Sequence, residues 1–313
     1  MCYAAEEFRV IWSRLPAKSV SQRSSPPKGG GAATLGPNGP SPLEQHVRPQ
    51  RVGRIVLVVM TLVGVGLVIL RASPVAELGQ DFRTLLDQRR TSERRSNGPN
   101  EFYFTRGVYS SPWRFNSWAI DFPKADQQFM AAVNTLVDMD ASERENPVRL
   151  DDPNLRRFPF LYMLEIEGMS LTPPEVLGLR SYLLAGGFLV VDDFWGSYAF
   201  ANLEQEMRRV LPDHSIVAIP PDHPIFNTVY KIEEVIQVPA FGRGFRGQTS
   251  ECYGCEAFVR GIFDDKGRLM VVVNANTDLG DAWEWFEQPQ YPLEYSSYAV
   301  QIGVNFVIYA MSH

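Results

Sequence analysis

The feature that most constrains the fold is an alternation of short apolar runs with helical segments between residues 101 and 313. The runs EFYFT, FPFLYML, FLVV and MVVV are almost continuously apolar, and segments with helical character separate them. Strands that are apolar on both faces occur mainly in parallel sheets, where helices cover both sides. We therefore predict an α/β domain with a mostly parallel sheet covered by helices on both faces.

The boundaries of the predicted elements follow from the same pattern. We predict strands over residues 101–106, 148–152, 158–168, 188–193 and 215–220, and helices over residues 125–138, 175–186 and 201–211. Two further strands, 257–265 and 268–276, flank Lys266-Gly267 and are typical of an antiparallel hairpin. A helix over residues 296–311 is expected to pack on the sheet and close the domain.

Charge is distributed unevenly along the 313 residues. Residues 1–100 contain 14 Lys and Arg against 7 Asp and Glu, whereas residues 101–313 contain 16 against 29. An acidic body argues against nucleic-acid binding, because phosphate contacts require a basic face. We therefore predict that the partner of the domain is a small ligand or a protein, and not a nucleic acid.

Three segments precede the α/β domain. Residues 1–53 are basic and rich in Pro, Gly and Ser, which predicts a disordered leader. Residues 54–71 contain sixteen consecutive uncharged residues, from Ile55 to Leu70, between two arginines. They predict a single membrane-spanning anchor, with a cleaved signal sequence or a soluble helix as the alternatives. Residues 72–100 are predicted to form a charged stalk.

The arginines around the predicted anchor give a weak signal for its orientation. Three arginines, at positions 48, 51 and 54, precede the span, and two follow within fifteen residues. Basic residues are retained on the cytoplasmic side of a membrane helix. We therefore predict a single-pass membrane protein whose α/β domain lies on the periplasmic side.

Polar residues follow several of the predicted strands. Ligands bind beyond the carboxyl ends of the strands in a parallel sheet. The candidate ligand-binding residues at these ends are Arg106, Tyr109, Glu165, Asp192, Asp193, Asp222, His223, Asn274 and Asp278. The same residue types also serve as ordinary strand-end and capping groups, and the sequence leaves both interpretations open.

The carboxylates of this set raise an electrostatic question. Asp192 and Asp193 next to Glu165 would place like charges in one crevice, which must pair with Arg106, take up protons or hold a cation. Oxygen ligands suit Mg²⁺ or Ca²⁺, but we predict no metal site. We also predict no cofactor, because no phosphate-binding glycine motif occurs in the sequence.

Catalysis has few candidate residues in this sequence. No nucleophile elbow of the G-x-S-x-G or G-x-C-x-G kind occurs in the body. The remaining catalytic candidates are Asp192 or Asp193 as general base and His223 as acid or base. The sequence therefore favours a protein that is not an enzyme.

One C-x-x-C pair, Cys252 and Cys255, follows a glycine-rich loop. Zinc would require two more ligands, and no second pair of that spacing exists. A small disulfide is the simplest interpretation for an exported domain, with free thiols or a metal or redox role as alternatives.

The body resembles a bacterial family known as domain of unknown function 4159. The motifs that carry the resemblance are EFYFTRGVYS, RFPFLYMLE, LRSYLLAGGFLVVDDFWG, DHPIFNTVY, GIFDDKGRLMVVVNANTDLGDAW and GVNFVIYAM. The family is similar to the class I glutamine amidotransferase-like division of the flavodoxin-like folds, which implies that fold over residues 101–313. No reaction is implied, and the amidotransferase cysteine has no counterpart here.

The resemblance also marks positions at the family's recurrent motifs. They are Arg106, Asp192, Asp193, Asp222, His223, Arg268, Asn274, Asp278 and Trp283. The run Asn274-Ala275-Asn276 departs from the aspartate-rich sequence expected at this strand end.

Three hypotheses for the function remain open. The first is a membrane-anchored module that binds a ligand or partner in an acidic crevice without turning it over. The second is a hydrolase of a sugar or amide that uses Asp192 or Asp193 with His223. The third is a scaffold subunit of a membrane assembly, contacted through the aromatic cluster Trp283-Glu284-Trp285-Phe286.

Overall fold

The computed structural model describes residues 102–112, 117–137, 139–244 and 246–313. The strands in this part of the chain are β1 (Phe102–Val108), β2 (Ala141–Arg149), β3 (Phe160–Leu164), β4 (Phe188–Asp192), β5 (Val217–Ala218), β6 (Phe258–Phe263) and β7 (Leu269–Ala275). They form one seven-stranded sheet in the order β2-β1-β3-β4-β7-β6-β5.

Five neighbouring strands of this sheet, β2, β1, β3, β4 and β7, run parallel. Strand β6 pairs antiparallel with β7 on one side and with β5 on the other. The parallel part has the strand order of doubly wound, flavodoxin-like sheets, with β6 and β5 added at one edge. The predicted mostly parallel sheet and the hairpin near the C-terminal end are confirmed.

Helices cover both faces of the sheet, as predicted. The helices are α1 (Lys124–Leu136), α2 (Pro173–Leu184), α3 (Gly196–Val210), α4 (Phe241–Gly244), α5 (Leu279–Glu284) and α6 (Leu293–Ser312). Residues of α1, α5 and α6 join one apolar core, and residues of α2 and α3 join a second core.

The central strand β3 shows why the apolar runs are continuous. Phe160, Tyr162 and Leu164 belong to the core beneath α1 and α6, whereas Leu161 and Met163 belong to the core beneath α2 and α3. Successive side chains of a strand point to opposite faces. A strand covered on both faces therefore needs apolar residues at nearly every position.

Three strands differ most from their predicted bounds. Strand β2 begins at Ala141 instead of residue 148, because it lies at the edge of the sheet and its polar sequence hides the strand pattern. Strand β3 ends at Leu164, because Glu165 adopts a left-handed backbone conformation with φ 53°. Strand β5 keeps only two residues, both exposed.

The aromatic cluster Trp283-Glu284-Trp285-Phe286 is not the exposed contact surface that the third hypothesis requires. Trp283 and Phe286 are only 1% and 3% exposed. The indole of Trp283 stacks on Phe129 of α1 at 4.3 Å between ring centroids. Trp283 and Phe129 belong to the same apolar core beneath α1 and α6, and Phe286 joins them there.

The predicted leader, membrane anchor and stalk all lie outside the described residues. Within the described ranges, no helix has both the length and the apolar character that crossing a bilayer requires. This also holds for the closing helix α6, which packs on the sheet, as predicted.

Candidate functional site

The guanidinium group of Arg106 in β1 is fully buried and already paired. It forms an ion pair with Asp126 of α1 and donates a hydrogen bond to the backbone oxygen of Ile120 at 2.9 Å. It also lies over the ring of Tyr162, 5.1 Å from the centroid. Arg106 therefore fastens α1 and the segment before it to the sheet, and the strand-end aspartates are not its ion-pair partners.

Asp192, the last residue of β4, is the centre of a buried hydrogen-bond network. Its carboxylate accepts hydrogen bonds from Tyr162 Oη at 2.6 Å, Asn274 Nδ2 at 2.6 Å and the backbone nitrogen of Leu279 at 2.9 Å. Burial raises the pKa of Asp192 to about 6, although these hydrogen bonds lower it. Asp192 thus joins β3, β4, β7 and α5 and has a structural role.

The next residue, Asp193, has a different environment. It adopts a left-handed conformation with φ 44°, and the residues that directly follow β3 and β7, Glu165 and Asn276, do the same at 53° and 57°. Asp121, ahead of α1, is also left-handed at 60°. Such conformations cost on the order of 1–3 kcal/mol each in non-glycine residues and cluster at functional sites.

Asn276 uses its left-handed position for a structural purpose. Its Oδ1 accepts a hydrogen bond from the backbone nitrogen of Gly196 at 2.8 Å, and its Nδ2 donates to the backbone oxygen of Glu256 at 2.8 Å. The side chain thereby holds the first residue of α3 against the end of β7. Together with the hydrogen bond from Asn274 to Asp192, this explains the two asparagines in the Asn274-Ala275-Asn276 run.

The carboxylates of Asp121, Asp193 and Asp278 meet in one cluster, which we call the acidic crevice. Each residue offers an oxygen atom within 4.8 Å of the other two, an arrangement that could hold a metal ion. Asp193 is 5% and Asp278 4% exposed, while Asp121 is less buried. The crevice therefore lies at the carboxyl ends of β4 and β7, and Asp121 is its most exposed member.

Hydrogen bonds fix two of these carboxylates by one oxygen each. Trp195 Nε1 donates to Asp193 Oδ1 at 2.9 Å, and the backbone nitrogen of Asp281 donates to Asp278 Oδ1 at 2.8 Å. The Oδ2 atom of Asp121 is buried and has no hydrogen-bond partner among the described residues. The crevice thus contains carboxylate oxygens that hydrogen bonds orient and that no basic side chain of the described residues pairs with.

The electrostatics of the acidic crevice are unfavourable for three ionised groups. Burial raises the pKa of Asp193 well above its usual range, and the charges of Glu165, Asp121 and Asp192 raise it further. Burial likewise raises the pKa of Asp278, with additional repulsion from Asp193. The pKa of Asp121 is also raised by burial, and Arg106 offsets this only in part.

The structure brings most of the predicted site residues to the end of the sheet where the parallel strands finish, that is, to their carboxyl ends. Arg106, Asp192 and Asn274 form its buried floor, and Asp193 and Asp278 line the crevice itself. Two more predicted residues, Tyr109 and Glu165, directly follow β1 and β3 and support the site. Tyr109 Oη lies 2.8 Å from the backbone oxygens of Leu164 and Glu165, and the Glu165 charge acts on Asp193.

The predicted residues Asp222 and His223 do not join this group. The His223 ring packs 5.5 Å from Phe263 of β6 and 5.6 Å from Tyr309 of α6. Phe263 pairs with Leu269, the first residue of β7, so His223 lies near the amino end of that strand. Leu269 and Asn274 are five residues apart along β7, which is roughly 16 Å at ~3.3 Å per residue. His223 is therefore too far away to act with Asp192 or Asp193.

Arg268 directly precedes β7 and so lies at the same end of the sheet as His223, away from the carboxyl ends of the parallel strands. It donates hydrogen bonds to the backbone oxygen of Leu183 at 2.8 Å and of Gly187 at 3.1 Å, and it pairs with Asp264. These contacts hold the hairpin against the turn between α2 and β4. Its role in the described structure is therefore structural.

The cysteines Cys252 and Cys255 form a disulfide. Cys252 lies beside Asn276 and Gly196, with its sulfur 3.8 Å from Asn276 Oδ1. The disulfide thus closes the loop that packs on the carboxyl end of β7.

Sequence reasoning missed Asp121 as a member of the site. The segment that carries it, between β1 and α1, has no strand or helix pattern, and its only signal is an acidic residue shortly before a predicted helix. Asp126 was missed for a related reason, because an aspartate in the first turn of a helix is an ordinary helix-dipole residue.

These features define an α/β domain with a parallel sheet whose strand ends carry a buried acidic cluster. The sequence matches the model of the family described as Domain of unknown function (DUF4159) over residues 110–311, and the chain belongs to that family. A comparison with curated proteins finds no match.

Proposed function

We propose that this domain is a non-catalytic module that binds a cationic ligand in the acidic crevice. The observation that carries the proposal is the meeting of three carboxylates that no described basic side chain pairs with. The buried guanidinium nearby, that of Arg106, is paired with Asp126. A positively charged ligand would relieve the repulsion that burial and proximity impose on these groups.

Binding without turnover fits the side chains better than hydrolysis does. The hydrolase hypothesis needs a proton-transferring histidine. His223 packs at the amino end of β7, whereas the acidic crevice lies at its carboxyl end. A general acid or base must lie within hydrogen-bond reach of the group it serves.

The wider setting of the module is part of the same proposal. The apolar segment from Ile55 to Leu70 would hold the domain at a membrane, with the acidic crevice on the periplasmic side. A distant relationship to the class I glutamine amidotransferase-like division is supported by the parallel strand order and the motifs quoted above.

Thermal unfolding of the full-length chain tests the proposal against cationic, neutral and anionic compounds. We expect polyamines or divalent cations to raise the melting temperature, because a ligand at about 100 times its Kd adds about 2.7 kcal/mol. For a domain of this size, that gain corresponds to a shift of roughly 5–10 °C. Neutral sugars and nucleotides are expected to give no shift.

Two matched variants make the result specific to the acidic crevice. Asp193→Asn keeps the size of the side chain and removes one crevice charge, and we expect it to abolish the shift. Asp222→Asn makes the same change at an exposed site and should leave the shift intact. A shift that persists in Asp193→Asn, or one caused only by neutral or anionic compounds, would contradict the proposal.

A further inference from the structure

We propose that the acidic crevice is a binding site for one divalent metal ion, with Asp121, Asp193 and Asp278 as its protein ligands. This inference rests on the proposed function and narrows the ligand to a hard cation. The three side chains come from separate parts of the chain, namely the segment before α1, the end of β4 and the N-terminus of α5. Their oxygens nevertheless meet within 4.8 Å of one another.

The geometry is that of ligands held ready by a second layer of hydrogen bonds. Trp195 orients Asp193 through Oδ1, and the backbone nitrogen of Asp281 orients Asp278 through Oδ1. Both aspartates are therefore held in place through their Oδ1 atoms. Metal ligands in proteins are commonly oriented in this way by outer hydrogen bonds.

The orphaned oxygen of Asp121 points independently to a bound cation. Asp121 Oδ2 is buried and has no hydrogen-bond partner in the described ranges, which is costly for a carboxylate. Its place next to Gly280 is equally specific, because a Cβ atom on Gly280 would lie 2.3 Å from this oxygen. The glycine thus leaves room for a carboxylate oxygen that has no hydrogen-bond partner in the described part of the chain.

The donor atoms decide the class of metal. The set contains carboxylate oxygens and no sulfur or imidazole, which suits Mg²⁺, Mn²⁺ or Ca²⁺ better than zinc or copper. Such ions complete their coordination with water, and Asp121 is the partly exposed member of the three ligands.

A neighbouring group of Asp121, Asp281 and Glu284 also has oxygens within 4.8 Å of one another. Both oxygens of Asp281 already accept hydrogen bonds, from the backbone nitrogen of Phe241 at 2.7 Å and from Trp285 Nε1 at 3.1 Å. We therefore assign the ion to the group that contains Asp193 and Asp278, each of which is held by a hydrogen bond to a single carboxylate oxygen.

Electron paramagnetic resonance of Mn²⁺ tests the site directly, because the six-line signal of the free ion disappears on binding. For the full-length chain we expect one Mn²⁺ per chain, displaced by excess Mg²⁺ or Ca²⁺. Asp193→Asn and Asp121→Asn should each weaken binding at least tenfold, and the matched variant Asp222→Asn should bind like the wild type. Both site variants keep the shape of the side chain, and their unfolding curves serve as the check that they are folded.

Two results would overturn the metal site: no Mn²⁺ bound at millimolar concentration, or equal binding by wild type and Asp193→Asn. If polyamines stabilise the wild type but not Asp193→Asn while Mn²⁺ does not bind, the metal site is wrong and the cation-binding module stands. If neither amines nor Mn²⁺ act on the crevice, both proposals fail.

Discussion

Replacing Arg106 by methionine is expected to lower the free energy of unfolding by about 3–5 kcal/mol, because it removes one partner of a buried ion pair. The Asp126 carboxylate would remain in the core with a side-chain exposure of 4% and no cation beside it. The substitution also removes the hydrogen bond to Ile120 that fixes the segment before α1. Equilibrium unfolding in urea measures the loss.

A double variant separates the ion pair from simple packing. In Arg106→Met combined with Asp126→Leu, no charge is left buried, and part of the lost stability should return. If Arg106→Met alone lowers the free energy of unfolding by less than about 1 kcal/mol, the ion pair does not anchor α1. Exposed ion pairs contribute no more than about that amount to stability.

Replacing Asp192 by alanine is expected to cost about 2–4 kcal/mol in the free energy of unfolding. The change leaves Tyr162 Oη, Asn274 Nδ2 and the backbone nitrogen of Leu279 without their shared acceptor. Each unsatisfied buried donor costs on the order of 1–3 kcal/mol, and the removal of a buried charge offsets part of the sum. Thermal or urea unfolding at pH 7 provides the measurement.

The matched control for this change is Asp192→Asn. Asparagine keeps one oxygen for Tyr162 and Leu279. The amide of Asn274 can turn to present its Oδ1, which is buried and has no hydrogen-bond partner among the described residues. We therefore expect Asp192→Asn to retain most of the stability that Asp192→Ala loses. Equal losses in both variants would argue against a hydrogen-bond network centred on Asp192.

The sheet could be predicted from sequence because both faces of its central strands are buried. Phe160 to Leu164 alternate between two cores, so apolar residues occupy every position, and this pattern survives in any sequence that folds in this way. Strand β2 lacked the signal, since an edge strand needs few apolar residues. The short β5 was overestimated because SIVAIP has strand character but pairs over only two residues.

The different roles of Asp192 and Asp193 could not be predicted from their sequence, since the two residues are adjacent and identical. Asp192 completes the strand and points towards donors from three other elements, whereas the left-handed turn at Asp193 directs its side chain to the crevice. Both orientations depend on tertiary neighbours, as does the position of Asp121. The placement of His223 depended on where the chain turns after β5, which local patterns do not record.

The central claim is that Asp192 stabilises the fold, whereas its neighbour Asp193 belongs to the binding site. Comparing the wild type with Asp193→Asn tests this claim most directly. Burial and like charges raise the folded-state pKa of Asp193. Its contribution to the free energy of unfolding is therefore largest below the unfolded pKa of about 3.9 and declines as the pH rises towards the folded value. At pH 8, which is well above the unfolded pKa, the raised pKa of Asp193 lowers the free energy of unfolding.

The decisive measurement is thermal unfolding of both proteins at pH 8 and pH 4.5, with a chelator present to remove divalent cations. Asparagine accepts the hydrogen bond from Trp195, tolerates the left-handed conformation and carries no charge. We expect Asp193→Asn to be more stable at pH 8 by on the order of 1–2 kcal/mol, or roughly 4 °C, with a smaller gain at pH 4.5. A variant less stable than the wild type at pH 8 would mean that Asp193, like Asp192, holds the fold together.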